Sequence, residues 1–275
     1  IYSISGTKKD RNRLIFLSIV LKSNLAKYFQ FHTSSSWGIE RDQIHPNEFK
    51  RLPFPLPEAT YNSAKSESII KKAADIFYKT KHQLENTLLG HKAIIEKAHV
   101  ELLPLVYDYY DISEYEEILV DDTVKIFCKS VTPTFKTRPP TLLRTTADQR
   151  MSYANLLCDT LNQWSIRSNL RVKATCKISA RLGLGILTLH KGNAVMPYEE
   201  TSVTDDLQES LRRVKRSLRE EHGHFSYFRG LKIFDRNGNE LHLVKPLALR
   251  HWTRTAALND ADEIASAILS ARKEA

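Results

Sequence analysis

The chain is poor in cysteine, methionine and glycine, with 3, 2 and 9 residues of each, and every shortage closes off a class of protein. Cys128, Cys158 and Cys176 are odd in number, far apart, and form no C-x-x-C or Cys/His ligand spacing. Neither a disulfide framework nor a zinc site is expected, and the thiols fit a reducing, cytoplasmic compartment. Glycine supplies no phosphate-cradling loop: G-x-x-x-x-G-K-[ST] is missing, and Gly183-Leu184-Gly185 lies between two strand-like runs, away from any strand-to-helix turn. There is no H-E-x-x-H pair, and no E-x-K pair closely follows Asp121, Asp122 or Asp235, as a metal-dependent nuclease would need. Long apolar runs are absent too. The stretch Leu14 to Leu21 already contains Ser18 and is too short to span a bilayer, so no membrane partner is expected. The basic residues before it (Lys8, Lys9, Arg11, Arg13) imitate a signal peptide. No small-residue cleavage site follows, and Lys22, Asn24 and Lys27 continue an amphipathic helix.

What the chain does have is positive charge. Lys and Arg total 41 against 32 Asp and Glu, a formal net charge of +9. A basic surface gains from displacing the counterions around phosphates, which favours a polyanionic partner, although many basic proteins bind none. Hydrophobic residues at 41% are enough for packed cores, and the charged fraction of 27% is that of an ordinary globular protein.

Hydrophobic spacing predicts an α+β protein with a helical first part. Leu14, Leu17, Leu21, Leu25 and Tyr28 form one stripe of a helix over 12–31. R-L-P-F-P-L-P, Arg51 to Pro57, forbids helix and central strand and predicts an extended arm anchored by Leu52, Phe54 and Leu56. From Ala64 a heptad register runs through Ile70, Ala74, Phe77, Lys81, Leu84, Leu88, His91, Ile95, Ala98, Leu102 and Leu105. It reads either as a coiled-coil spacer that makes a homodimer or as one long helix packed within its own domain; Gly90 weakens its middle and Pro104 bends or ends it. Ser113 and Glu116 form a capping box for a helix reaching Cys128. The expected organisation is an opening region over 1–62, the long and short helices over 63–129, a Pro/Thr-rich linker over 130–147, and a domain over 148–275.

That last domain reads α-β-β-α-β-β-α. Asp148 caps a helix to Trp164. Strands follow at Arg171–Arg181 and Leu184–His190, and Thr204 caps a helix to Glu221. Tyr227–Asp235 and Glu240–Val244 form a hairpin around Asn237-Gly238, and a helix from about Asp260 turns Ile264, Ala267 and Ile268 inward. Two basic features stand out. In the first strand, Arg171, Lys173, Thr175, Lys177, Ser179 and Arg181 alternate with Val172, Ala174, Cys176, Ile178 and Ala180. One face is thus apolar and the other cationic, with no acidic residue between Asp159 and Glu199. The cationic face is either a row for backbone phosphates or a guard against edge aggregation. The helix after Thr204 carries Arg212, Arg213 and Arg216 outward, an arrangement that the helix dipole also explains. Trp252 in R-H-W-T-R-T suits a core anchor better than a base-stacking platform. An enzyme in this domain would need Asp235, Glu240 and His242 to converge on a metal.

T-S-S-S-W-G-I-E-R-D at Thr33–Asp42, followed by L-P-F-P-L-P, resembles the end of the target-recognition region of large single-chain adenine-amino DNA methyltransferases. These are restriction-modification and phage-exclusion enzymes with a TaqI-like specificity domain. The order of elements is similar as well: a helix like Leu14–Phe29 precedes the loop, and after the arm come L-V-Y-D-Y-Y at Leu105–Tyr110 and a Glu-rich helix start at Ser113–Glu117. Leu21-Lys22-Ser23 stands where the pattern has Leu-Asn-Ser. The resemblance covers about Ile1 to Lys129 and leaves the domain after Pro140 outside it. It implies a double-stranded DNA partner, with Ser35, Trp37 and Arg41 as DNA-side contacts. It also implies an upstream part that binds S-adenosylmethionine and methylates adenine, since the N-P-P-Y-type loop for the flipped base is missing here and Met196-Pro197-Tyr198 does not supply it. Opening on Ile1, the chain is expected to be the carboxy-terminal fragment of such an enzyme, non-catalytic alone and with no cofactor of its own. The alternative is a helical scaffold that docks other proteins.

Overall fold

The computed structural model describes residues 4–34, 45–131, 137–164, 171–192, 198–202, 231–234 and 240–274. The chain forms two compact units, Ile1–Phe135 and Lys136–Ala275, the first helical and the second built on a mixed sheet.

In the first unit the helix expected over 12–31 is two helices, α1 (Arg11–Lys22) and α2 (Asn24–Thr33). Ser23 breaks it. Its backbone is extended (φ −71°, ψ 162°), and its buried hydroxyl accepts the Ala26 N–H at 3.2 Å, so it caps the second helix. A short α3 (Pro46–Phe49) precedes the proline arm. The long heptad helix is likewise divided, into α4 (Ser63–Glu85) and α5 (His91–Tyr110). Gly90 sits at φ 82°, a left-handed conformation that a helix interior excludes, so the chain turns back on itself. Ile69, Ile70 and Ala73 near the start of α4 share a core with Leu105, Val106 and Tyr109 near the end of α5, which makes the pair an antiparallel hairpin. A continuous dimerising rod is therefore ruled out within the chain's own fold. Leu88 (97% exposed) and Ile95 (54%) miss the core because the register changes at the turn. Pro104 stays inside α5, which continues to Tyr110.

The arm lies over this core. Phe54 stacks on Tyr109 (centroids 6.1 Å, interplanar 17°) and approaches Phe16 at 6.2 Å. The Tyr109 hydroxyl donates to the Pro55 carbonyl at 2.6 Å and that of Tyr110 to the Pro53 carbonyl at 2.7 Å. Prolines lack N–H groups, so donors from outside satisfy the arm's carbonyls. Leu52 and Phe54 anchor it as expected; the third anchor is buried Pro57, whereas Leu56 is exposed. After α6 (Glu114–Asp122), opened by the Ser113–Glu116 capping box, a π turn (Thr123–Phe127) leads into α7 (Cys128–Val131).

The second unit opens with α8 (Ala147–Trp164). Its capping pair is Thr146 and Gln149, and Asp148 lies within the first turn. Five strands form the sheet: β1 (Arg171–Ser179), β2 (Leu184–Gly192), β3 (Glu199–Ser202), β4 (Leu231–Phe234) and β5 (Glu240–Pro246). Their order is β3-β1-β2-β5-β4, with β3 parallel to β1 and the other pairs antiparallel. The closing helix, α9 (Arg254–Glu274), starts well before Asp260, with the Thr253 hydroxyl accepting the Ala256 N–H at 3.0 Å. Ala257, Ala261 and Ile264 turn inward, while Ala267 and Ile268 are exposed. Helices α8 and α9 cover one face of the sheet, where Tyr153, Leu157, Ala174, Cys176, Leu187, Leu243 and Trp252 close the core. The helix expected over Thr204–Glu221 and the Asn237-Gly238 turn lie outside the described residues.

Candidate functional site

Strand β1 divides as its alternation requires. Ala174 and Cys176 are buried in the helix-side core, with Val172 and Ile178 packed against it. Arg171, Lys173, Thr175 and Lys177 face the other way. The strand ends at Ser179, so Arg181 stands in the turn before β2 and does not extend the row. Nor is β1 an edge. It pairs with β2 along its whole length, and Thr175–Ile178 pair with β3 as well, which removes the edge-guarding explanation for Lys177.

The strand register fills out this face with residues distant in sequence. Thr188 stands opposite Thr175, and His190 opposite Lys173. On the next strand, Glu240 pairs with His190 and His242 with Thr188. The side chains connect across the strands. Thr175 Oγ1 lies 2.9 Å from His190 Nε2, and His190 Nδ1 lies 3.0 Å from Glu240 Oε1. His242 Nε2 is 3.7 Å from the other Glu240 oxygen, and its Nδ1 is 3.0 Å from Thr188 Oγ1. One carboxylate thus sits between two imidazoles, and each ring's far nitrogen is held by a threonine. The His190, Glu240 and His242 side chains are 26%, 42% and 23% exposed. Ile186, on the same face and paired with exposed Lys177, is only 3% exposed.

The cationic row is not unneutralised, as sequence distance suggested. Glu199 pairs with Thr175 and so joins this face from β3, and Glu240 joins it from β5. Sequence reading singled out Glu240 and His242 but missed His190, Thr175 and Glu199 as their companions. Aligning the parities of β1, β2 and β5 would have found the first two. Glu199 required the parallel strand β3, whose four residues, Glu-Glu-Thr-Ser, carry little strand signal.

The helix side holds two ion pairs of a different kind. Arg150, 5% exposed, reaches Glu200 on β3, and Lys245, 6% exposed, reaches Asp260 on α9. Asp260 also accepts the Tyr153 hydroxyl at 2.6 Å, and the Lys245 ammonium lies 4.3 Å from the centre of the Tyr153 ring. Burial pushes the Asp260 carboxyl up, but the Lys245 ammonium and these hydrogen bonds outweigh it and hold the group below its usual range. Burial also lowers the Lys245 ammonium, against the pull of Asp260. Burial pushes the Cys158 and Cys176 thiols up to about 12, so neither is poised as a nucleophile. These groups are sealed into the core and have the character of structural polar pairs. Trp252 is 1% exposed and donates its indole N–H to the Pro246 carbonyl at 2.8 Å, a core anchor as expected.

Ser35, Trp37 and Arg41, together with Arg212, Arg213 and Arg216, lie outside the described residues, as does Asp235. Among the described residues no cluster of three or more His, Cys, Asp or Glu side chains is placed to hold a metal ion, and no helix is long and apolar enough to cross a membrane. No protein-family model matches this chain, and comparisons with curated proteins and with solved structures return no similar one.

Proposed function

We propose that this chain is a DNA-engaging, non-catalytic part of an adenine-amino DNA methyltransferase of restriction-modification or phage-defence type. The observation that carries the DNA contact is the shared sheet face of Arg171, Lys173 and Lys177, turned away from the helix-covered core. Side chains on one face of a strand repeat every ~6.6 Å, and a row of cations and hydroxyls at that spacing carries no pattern of base donors and acceptors, so this face grips phosphates and leaves sequence reading elsewhere. The resemblance of the first part supplies the candidates for reading, Ser35, Trp37 and Arg41. The net charge of +9 adds a long-range attraction to the duplex. Methyl transfer and S-adenosylmethionine binding would belong to a part of the enzyme that carries the base-holding loop. The DNA contact is tested with a K173Q/K177Q variant in anisotropy titrations at several salt concentrations. Binding should weaken alike on all duplex sequences, and the slope of affinity against salt should fall by about two units. An unchanged slope would overturn the assignment.

A second reading, protein docking, is favoured by the tip of the α4–α5 hairpin, where Leu88 and Leu89 are 97% and 84% exposed. An L88S/L89S variant that changes the oligomeric state in solution, with DNA affinity intact, would support it.

A further inference from the structure

We propose that the first unit carries a phosphate-gripping face of its own for duplex DNA, made by Lys8, Lys9 and Arg11 at the entry to α1 and by Lys71, Lys72 and Lys79 on α4. The inference rests on the DNA-engaging reading above. Helix α1 packs on α4 through Phe16 and Val20 against Ile69, Ile70 and Ala73. Its opening residues touch α4 at two places. Arg13 Nη2 lies 3.5 Å from Glu67, and the Arg11 guanidinium lies over the Tyr78 ring, 5.2 Å from its centre. Glu67, Lys71 and Tyr78 stand at i, i+4 and i+11, one stripe of a helix, so Lys71 falls between the two residues that α1 reaches. Lys72 and Lys79, seven residues apart, face outward on the neighbouring stripe. The 3₁₀ turn Lys8–Asp10 leads directly into Arg11. Six cations from two distant parts of the sequence, all exposed, thus share one surface.

The neighbouring carboxylates are largely occupied. Arg13 holds Glu58 at 2.5 Å and Glu67 at 3.5 Å, and Asp10 accepts the Thr7 N–H at 3.0 Å and the Thr7 hydroxyl at 2.7 Å. Asp75 stands four residues from both Lys71 and Lys79, yet among the described residues it forms an ion pair with neither. At the same spacing Lys81–Glu85 and Lys92–Glu96 do pair, at 3.6 and 3.9 Å. Arg11 is fixed by an aromatic ring, which holds a guanidinium without neutralising it. Helix stability gives no reason for these charges. The first turn of α1 contains no acidic residue, which the helix dipole would favour there, and begins with Arg11 and Arg13 instead. A duplex backbone suits such a surface. Its phosphates release counterions on contact with the lysines, and no ion pair within the protein has to break first. Lysines on successive helical stripes offer point charges and no bidentate pattern, so the contact is to phosphates and does not depend on sequence.

The test is a set of anisotropy titrations of the full chain with one double-stranded DNA oligonucleotide at several salt concentrations. K71Q/K72Q should lower the slope of affinity against salt by about two units, one for each lost contact, and K8Q/K9Q should do the same from the other element. K92Q/K97Q removes as many charges from α5 and should leave the slope at its wild-type value. Glutamine and lysine have similar helix propensity, and circular dichroism checks that the helical signal is kept. Should K71Q/K72Q lose that signal, K8Q/K9Q decides, since its substitutions lie in a turn ahead of α1. A wild-type slope in either folded variant overturns the inference. An equal fall in K92Q/K97Q also overturns it, because net charge alone would then explain the effect. The two readings fail differently. A wild-type chain that binds no duplex ends both, whereas binding that K173Q/K177Q weakens and these variants leave unchanged removes this inference only.

Discussion

Arg150 of α8 holds Glu200 of β3 in a fork, with Nε donating to one carboxylate oxygen at 2.8 Å and Nη2 to the other at 2.5 Å. Its Nη1 donates to the Thr145 carbonyl at 2.7 Å, and the Tyr198 hydroxyl reaches Glu200 at 2.6 Å. The pair therefore fastens a four-residue strand to the helix layer and to the chain just before α8. Removing only the cation leaves a carboxylate that is 17% exposed without its main partner. R150A is expected to lower the stability of the second unit by about 3–5 kcal/mol. An R150M/E200L double substitution, which removes both charges and keeps the volume, should recover most of that loss. Urea denaturation of the three proteins measures both effects, and a double variant as unstable as R150A would show that packing, and not the unpaired charge, sets the loss.

The acid side of the stability curve follows from the same pairs. Burial pushes Glu200 up, but Arg150 outweighs it, and both Glu200 and Asp260 are held below their ordinary values of 4.5 and 3.8. A carboxyl lowered by folding contributes stability that is present above its unfolded value and disappears as pH falls through its folded value. The second unit should thus keep its stability from neutral pH down to about pH 4.5 and lose it progressively below about 4. In D260N that acid loss should be smaller, alongside lower stability at pH 7. Thermal melts between pH 3 and 7 check the sign.

How far the sequence could be read depended on whether partners were local. The parity of β1, the capping box of α6 at Ser113 and the arm's Leu52 and Phe54 were legible, because each rests on spacing within a few residues. The breaks at Ser23 and Gly90 were harder. A serine or glycine within an apolar pattern costs a helix only about 0.5–1 kcal/mol, and tertiary packing decides whether the helix continues or turns. The start of α9 was misplaced because Asp260 looks like a cap, while its actual role, accepting from Lys245 and Tyr153, is set by residues far away in sequence. Glu199 joined the cationic face for the same reason: only the parallel pairing of β3 brings it there.

The last residues of the stretch expected as a linker belong to the second unit and are held by its backbone. The Thr145 N–H donates to the Leu247 carbonyl at 2.8 Å, the Leu249 N–H donates to the Leu143 carbonyl at 2.8 Å, and Arg144 bridges to Ala248. A protease must draw several residues of extended backbone into its cleft, and hydrogen-bonded backbone resists this. Limited trypsin digestion, which does not cut the Arg138–Pro139 bond, should therefore spare Arg144 in its earliest fragments although that side chain is exposed. Mass spectrometry of the earliest fragments gives the answer; an initial cut at Arg144 would show that these contacts do not hold in solution.

Gly185 is the position where the packing of the second unit leaves least room. It lies on β2 opposite Ile178 and Lys245, facing the helix layer, and a Cβ there would come within 2.9 Å of Trp252 Cζ2 and 3.3 Å of Leu247 Cδ2. Such a contact is shorter than carbon atoms tolerate, so one partner must shift. Trp252 has little freedom to do so. It is 1% exposed, its ring meets Tyr153 edge-on at 5.2 Å, and its indole N–H is tied to the Pro246 carbonyl. Moving the indole would strain that hydrogen bond and disturb Tyr153, which in turn holds Asp260. Overpacking of this kind destabilises by about 1–3 kcal/mol, and G185A is expected to fall in that range although alanine suits a strand no worse than glycine. A G185A/W252F double substitution, with the smaller ring, should relieve the clash and be less unstable than the sum of the two single changes. Chemical denaturation of all four proteins in a double-mutant cycle measures the coupling, and strictly additive effects would mean that the glycine is there for some reason other than the tryptophan.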